Sequence, residues 1–128
     1  IGVVAYSDGD VLLHAMVDAL LGAASLGDLG KYFPSSDKKW KDKDSLFFLQ
    51  QASEHLYKIG YNIDHIDSTI ILEKPKISNK ISEMIDNISN VINADKSSIS
   101  IKSTTTDGLG FIGRNEGIGA LAIATISK

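Results

Sequence analysis

No cysteine occurs in the 128 residues, which excludes disulfides, thiolate catalysis and cysteine-based metal sites while leaving the compartment open. An excess of positive charge is also missing. Lysine and arginine number 13 against 16 acids, a net charge of −3, and the lysines are mixed with acids rather than set in a stripe. Nucleic acid is therefore a disfavoured partner. No apolar run approaches the roughly 18 residues of a membrane span, so no membrane partner is expected. Internal repeats and low-complexity segments are absent. The chain opens on Ile1, not methionine, and IGVVAY reads as a strand entered mid-course, so an N-terminal part is expected to be missing and targeting signals cannot be judged.

What is present suits one domain over residues 1–128. The 43% hydrophobic content is enough for a core, at a size where oligomerisation often adds buried surface. In SDGDVLLHAMVDALLGAA, Asp10, His14 and Asp18 recur every four residues among Val11, Leu12, Leu13, Met16, Val17, Leu20 and Leu21. Steps of four drift by about 40° on a helix, so the three stack along one edge. A stripe so narrow is expected to be a polar site on a buried helix, its groups paired, hydrogen-bonded or bound to a cation. By itself a histidine such as His14 in an apolar helix is more often hydrogen-bonded structure than a metal ligand, and the flanking carboxylates raise the metal reading.

The coarse order is a strand over residues 1–5, a helix over 10–24 ended by Gly27-Asp28-Leu29-Gly30, and a charged loop through 38–44. A second helix runs from an N-cap at Ser45 to Gly60 and buries Phe48, Leu49, Ala52, Leu56 and Ile59. Ile77, Ile81, Met84, Ile85, Ile88, Val91 and Ile92 give a third helix whose stripe is core. Strands are expected over 66–73, around Ile99 and Ile101, and over 118–126. The last is apolar on both faces, and its small residues Gly119, Ala120, Ala122 and Ala124 are expected to pack on further sheet or another subunit. The fold class is α+β, a mixed sheet covered by helices on one side.

A second chemical kit is Lys102-Ser103-Thr104-Thr105-Thr106-Asp107-Gly108-Leu109-Gly110. Hydroxyls and turn N–H groups can hold phosphate oxygens, and Asp107 could hold a divalent cation bridging them. The spacing is not a P-loop, and taken on its own the segment is better explained as a Thr-rich strand end and hairpin turn.

Together, SDGDVLLHAMVDALLGAASLGDLGKYFPSSD and STTTDGLGFIGRNEGI resemble the 2-C-methyl-D-erythritol 2,4-cyclodiphosphate synthases of non-mevalonate isoprenoid (terpenoid) synthesis, across nearly the whole chain. The resemblance implies a homotrimer with active sites between subunits. It also implies a metal-dependent phosphorus-oxygen lyase that cyclises 4-CDP-2-C-methyl-D-erythritol 2-phosphate and releases CMP. Such intramolecular phosphoryl transfer needs alignment and charge neutralisation rather than a covalent nucleophile. It would take place in the cytoplasm of a bacterium or in a plastid-type organelle of a eukaryote.

By the same resemblance His14 is a zinc ligand, and Asp28, Leu29 and Gly30 with Phe33, Pro34, Ser35, Ser36 and Asp37 contact the methylerythritol phosphate. Leu72, Glu73, Lys74, Pro75, Lys76, Ile77 and Ser78 form the cytidine diphosphate pocket. Thr104, Thr105, Thr106 and Asp107 hold the diphosphate, Thr105 stabilising the transferring group and Asp107 binding magnesium or manganese. Tyr6 and Ser7 stand where the family aligns phosphate, with Tyr6 replacing a frequent histidine and keeping only a phenol's hydrogen bond. Asp107 stands where glutamate is usual, one methylene shorter. Asp18 is expected to lie behind the metal-bound histidine and fix it. Phe111 and Arg114 either pack a turn or sit near the diphosphate. The family's other zinc ligands come from an upstream Asp-x-His, so these residues alone are expected to bind zinc weakly. That departure leaves, as the alternative to the enzyme, a non-catalytic trimeric protein binding a cytidine nucleotide or isoprenoid diphosphate.

Overall fold

The structure, a computed structural model, describes residues 2–34, 36, 43–73 and 77–128, and of residues 2–8 the backbone only. Helix α1 spans Gly2–Ala23 and buries Leu12, Met16, Val17, Leu20 and Leu21 completely. The strand expected over residues 1–5 is replaced from Gly2 onward by helix. Each residue added to an existing helix gains a backbone bond, whereas a strand there would need a ladder partner. The polar stripe is also corrected, because His14 and Asp18 are exposed and only Asp10 is half-buried. The apolar arc of α1 faces the core, and the stripe runs along its solvent edge.

After Ala23 the chain turns through Ser25 and Gly27, both at positive φ, and starts the short α2 (Leu29–Tyr32). Asp28 does not end a helix. It caps α2, its side chain accepting from the Lys31 N–H at 2.8 Å. Helix α3 (Ser45–Lys58) is capped by Asp44, whose carboxylate accepts from the Phe47 N–H at 2.9 Å. The expected cap at Ser45 is thus displaced by one residue, and the serine hydroxyl is left for another use. Leu49, Ala52 and Leu56 form the buried face as expected, while Ile59 lies past the last turn and is exposed.

Strand β1 (Asn62–Ile71) is central in the order β2-β1-β3. It pairs in parallel with β2 (Ile99–Thr104), from Ile66 opposite Ile99 to Ile71 opposite Thr104. It pairs antiparallel with β3 (Gly119–Ser127), from Ile71 opposite Gly119 to Asn62 opposite Ser127, with an irregularity between Ile63 and His65. The parallel pair requires a crossover. Helix α4 (Ile81–Ile92) supplies it, entered by a 3-10 turn at Ser78–Lys80 and left through Asn93 in the left-handed region. Ile77 is buried but precedes that helix.

Ile63, Ile66 and Ile70 of β1 and Ile99 and Ile101 of β2 point into the core, joined by Ala120, Ala122, Ala124 and Ile126 of β3. The small residues of β3 therefore face the helices, which lets α1 approach closely, and not an outside surface as expected. The opposite face of the sheet is open, with Leu121 and Ile123 exposed at 67% and 71%.

Candidate active site

Parallel β1 and β2 end side by side, and their C-terminal ends form a cleft of about 160 Å³. Leu72, Glu73, Ile77 and Ser78 line one wall, Ser103, Thr104 and Thr105 the other. This is a common place for ligands on sheets with parallel strands, because loops leaving adjacent strand ends diverge there. The Leu72 N–H donates to the Thr104 carbonyl at 3.0 Å, the last backbone link before the walls separate. Leu72 and Ile77 are each 3% exposed and form an apolar floor, while Thr104 and Thr105 are exposed at the rim.

Beyond β2 the chain folds into a turn held by its own hydroxyls. Thr105 Oγ1 accepts from the Asp107 N–H at 3.1 Å and lies 3.3 Å from Asp107 Oδ1, to which it can donate. Thr106 Oγ1 donates to the Leu109 carbonyl at 2.7 Å, so its proton is committed inside the turn. The Glu73 carboxylate accepts from the N–H groups of Thr106 and Gly108 at 2.9 and 3.1 Å. Turn N–H groups at 106, 107 and 108 are therefore engaged within the protein. Among the described residues the cleft offers the hydroxyls of Ser78, Ser103, Thr104 and Thr105, those of Thr104 and Thr105 making only long contacts, to the Thr105 carbonyl at 3.5 Å and to Asp107 Oδ1 at 3.3 Å.

Helix α5 (Gly110–Gly113) packs directly beneath this turn. A Cβ on Gly113 would stand 2.1 Å from the Gly108 carbonyl carbon, so only glycine permits that approach. Phe111 is 56% exposed, and Arg114 Nε pairs with Glu116 at 3.2 Å on the surface. Among the described residues the pairing uses Nε alone.

A second polar group lies where α1 meets α3. Ser45 Oγ donates to Asp10 Oδ1 at 2.5 Å and lies 3.1 Å from His14 Nε2. A carboxylate accepts only, so the single serine proton goes to Asp10, and the serine oxygen then accepts from Nε2–H. The lone pair of a neutral His14 is thereby placed on Nδ1. Asp18 takes no part, since its carboxylate accepts from the Leu29 N–H at 2.7 Å and ties α2 to α1. Asp10, through Ser45, fills the place behind His14 that was expected of Asp18. The consecutive reading of the helix missed Ser45, which is 31 positions away. A cavity of about 170 Å³ opens beside Asp10 and Ser45, lined also by Leu13, Leu46, Met84 and Ile88.

The expected site residues thus fall into two groups. Leu72, Glu73, Ile77, Ser78, Thr104 and Thr105 meet at the cleft, with Thr106 and Asp107 in the adjoining turn, whereas His14, Asp28, Leu29 and Gly30 do not line it. Phe33 is 3% exposed with its ring against Tyr32 and Phe48, a core position from which it could offer a ligand only backbone. Pro34 and Ser36 follow it on the surface. Ser35, Asp37, Lys74, Pro75 and Lys76, and the side chains of Tyr6 and Ser7, lie outside the described residues. Among the described residues no three His, Asp or Glu side chains gather as a metal cage, and no helix is long and apolar enough to cross a membrane.

Residues 1–127 match the YgbB family. The chain is 50% identical over 127 residues to 2-C-methyl-D-erythritol 2,4-cyclodiphosphate synthase of Alkaliphilus oremlandii, covering 99% of this chain and 81% of that protein. It is 48% identical over the same length to the synthase of Salinibacter ruber, with the same coverage. Among solved structures, the CDP complex of Plasmodium falciparum IspF superposes with a TM-score of 0.79 at 38% identity, over 91% of this chain and 69% of that one.

Proposed function

The chain belongs to the YgbB family, and from that membership we infer that it closes 4-CDP-2-C-methyl-D-erythritol 2-phosphate to the 2,4-cyclodiphosphate with release of CMP. The binding-only alternative is not favoured beside similarity over 99% of this chain to relatives named as synthases. The observation that carries the chemistry is the cleft, where an apolar floor ends in hydroxyls and a carboxylate. Leu72, Ile77 and Ser78 suit the cytidine end of the substrate, in keeping with the CDP bound by the Plasmodium falciparum relative.

In the reaction an oxygen of the 2-phosphate bonds to the β-phosphorus of the CDP group. The bond from that phosphorus to the oxygen bridging to the α-phosphate breaks, and CMP leaves. The transition state is mostly charge to be held in place. Thr105 fits that task. Its oxygen is fixed by the Asp107 N–H, while its proton makes only a long contact with Asp107 and can turn to a phosphate oxygen.

Asp107 fits a magnesium or manganese ion bound through one carboxylate and the substrate's phosphates. Bound there, the ion would offset phosphate charge beside an acidic turn. Zinc is the other proposed cofactor, with His14 as one ligand through Nδ1. The described residues bring no three ligating side chains together there, so they do not by themselves make a zinc site. We further propose a homotrimer in which the His14 and Asp28 region of one subunit completes the cleft of the next, and in which Tyr6, Ser7 and residues 33–37 belong to the methylerythritol phosphate side. Lys76 would meet phosphate, and Arg114 with Phe111 would sit toward the trimer axis.

The test is incubation of the full-length protein with the substrate, zinc and magnesium, following CMP and cyclic diphosphate by phosphorus NMR. Release of both is expected. CDP binding without turnover would reject the reaction. Thr105→Val should lower kcat on the order of 100-fold while leaving CDP affinity within a few-fold.

A further inference from the structure

We propose that Glu73 is a positioning residue, a carboxylate clamp that sets the phosphate-gripping turn rather than a contact for the substrate. The inference rests on the reading of that turn as part of the active site. Sequence gives Glu73 no such task, since it stands just beyond β1 and 33 residues from Thr106. Register provides it. Ile71 is opposite Thr104 in the parallel ladder, so two residues further on Glu73 is level with Thr106, just where backbone pairing has stopped. The side chain continues the ladder with its own oxygens.

The two oxygens divide the work. Oε2 accepts the Thr106 N–H at 2.9 Å, with the Thr106 hydroxyl at 3.4 Å, and Oε1 accepts the Gly108 N–H at 3.1 Å. These are the residues on either side of Asp107, which is held at φ 55, a left-handed conformation uncommon for a residue with a side chain. Such a conformation persists only where its surroundings fix it. Holding the N–H of 106 and of 108 fixes the backbone flanking Asp107, and with it the direction of the Asp107 carboxylate and of the Thr105 hydroxyl bound to the Asp107 N–H. A negative group at a phosphate site would ordinarily repel the ligand. Here its lone pairs are turned inward onto N–H donors, so it shapes the site while its charge is partly satisfied.

The test compares wild type, Glu73→Gln and Glu73→Ala in the full-length protein. Three quantities are read: kcat with its magnesium dependence, the Kd for CDP, and amide hydrogen exchange at Thr106 and Gly108. Glu73→Ala should lose amide protection and drop kcat by about 10- to 100-fold, the scale of a misplaced reacting group, and require more magnesium. Its CDP affinity should fall by less than kcat does, because the apolar floor is untouched and only the turn that grips the phosphates shifts. Glu73→Gln retains one accepting oxygen and should fall between the two; if the alanine variant does not fold, this one carries the comparison.

Protected amides in Glu73→Ala would overturn the clamp, and so would unprotected amides with unchanged kcat. Weakened CDP binding with kcat intact would make Glu73 a ligand contact instead. Should wild type release no CMP, the assigned reaction is what fails, and exchange at Thr106 and Gly108 still decides whether the clamp exists.

Discussion

Ser45 occupies a position one residue inside its helix, and that single step converts it from a cap into a hydrogen-bond relay. Its oxygen sits between Asp10 and His14 at 2.5 and 3.1 Å, and the proton count fixes His14 as the Nε2–H tautomer. Long-range proton–nitrogen NMR of labelled protein should show that tautomer directly. In Ser45→Ala it should give way to a mixture, since the acceptor facing Nε2 is gone. A wild-type Nδ1–H tautomer would refute the relay. Spacing along one helix brought Asp10, His14 and Asp18 to attention, but spacing ranks them equally. Distinguishing Asp10 from Asp18 requires α3, which brings Ser45 to one of them, and α2, whose Leu29 N–H claims the other.

Among the elements, the short α5 determines whether the turn can exist in its present shape. Gly113 and Gly22 make a direct contrast, because a Cβ at Gly113 meets the Gly108 backbone while one at Gly22 meets nothing within 4 Å. Gly113→Ala should lower stability by about 1–3 kcal/mol in denaturant unfolding and reduce activity more than stability. Gly22→Ala, near the end of α1, should raise stability by about 0.5–1 kcal/mol and leave turnover alone. Equal effects at the two positions would contradict the close approach. The helical stripes of α1, α3 and α4 and the alternation in β2 were legible in the sequence because burial imposes its own period. The helix from Gly2 onward was not, since the β-forming residues at the start of the sequence point to strand and only the observed continuation of α1 overrides them. The cap of α3 was legible in kind and wrong by one residue, because adjacent Asp44 and Ser45 are both good caps.

At the scale of the whole molecule, a three-stranded sheet carries helices on one face and nothing on the other among the described residues. Leu121 and Ile123 lie there, and each would gain about 1.5–3 kcal/mol if fully covered. Polar Asp67 and Lys102 share the face, Lys102 Nζ lying 3.0 Å from both carboxylate oxygens. The hydrogen bond from Lys102 holds the Asp67 carboxyl below its ordinary value. Light scattering with chromatography should find wild type as a trimer and Leu121→Glu/Ile123→Glu as a monomer with unchanged secondary structure and little activity. A monomeric wild type, or a trimer indifferent to both charges, would reject the open face as the interface. Which face of β3 turns outward was not legible in the sequence, because both faces are apolar and only the neighbours of β3 break the tie. The parallel pairing of β1 with β2 has a further consequence, in time rather than space. Glu73 and the threonine turn are separated by the entire crossover, so no early local structure can bring them together. The cleft needs both strands paired to their ends across that crossover, so its geometry is expected to be among the later things this chain acquires as it folds.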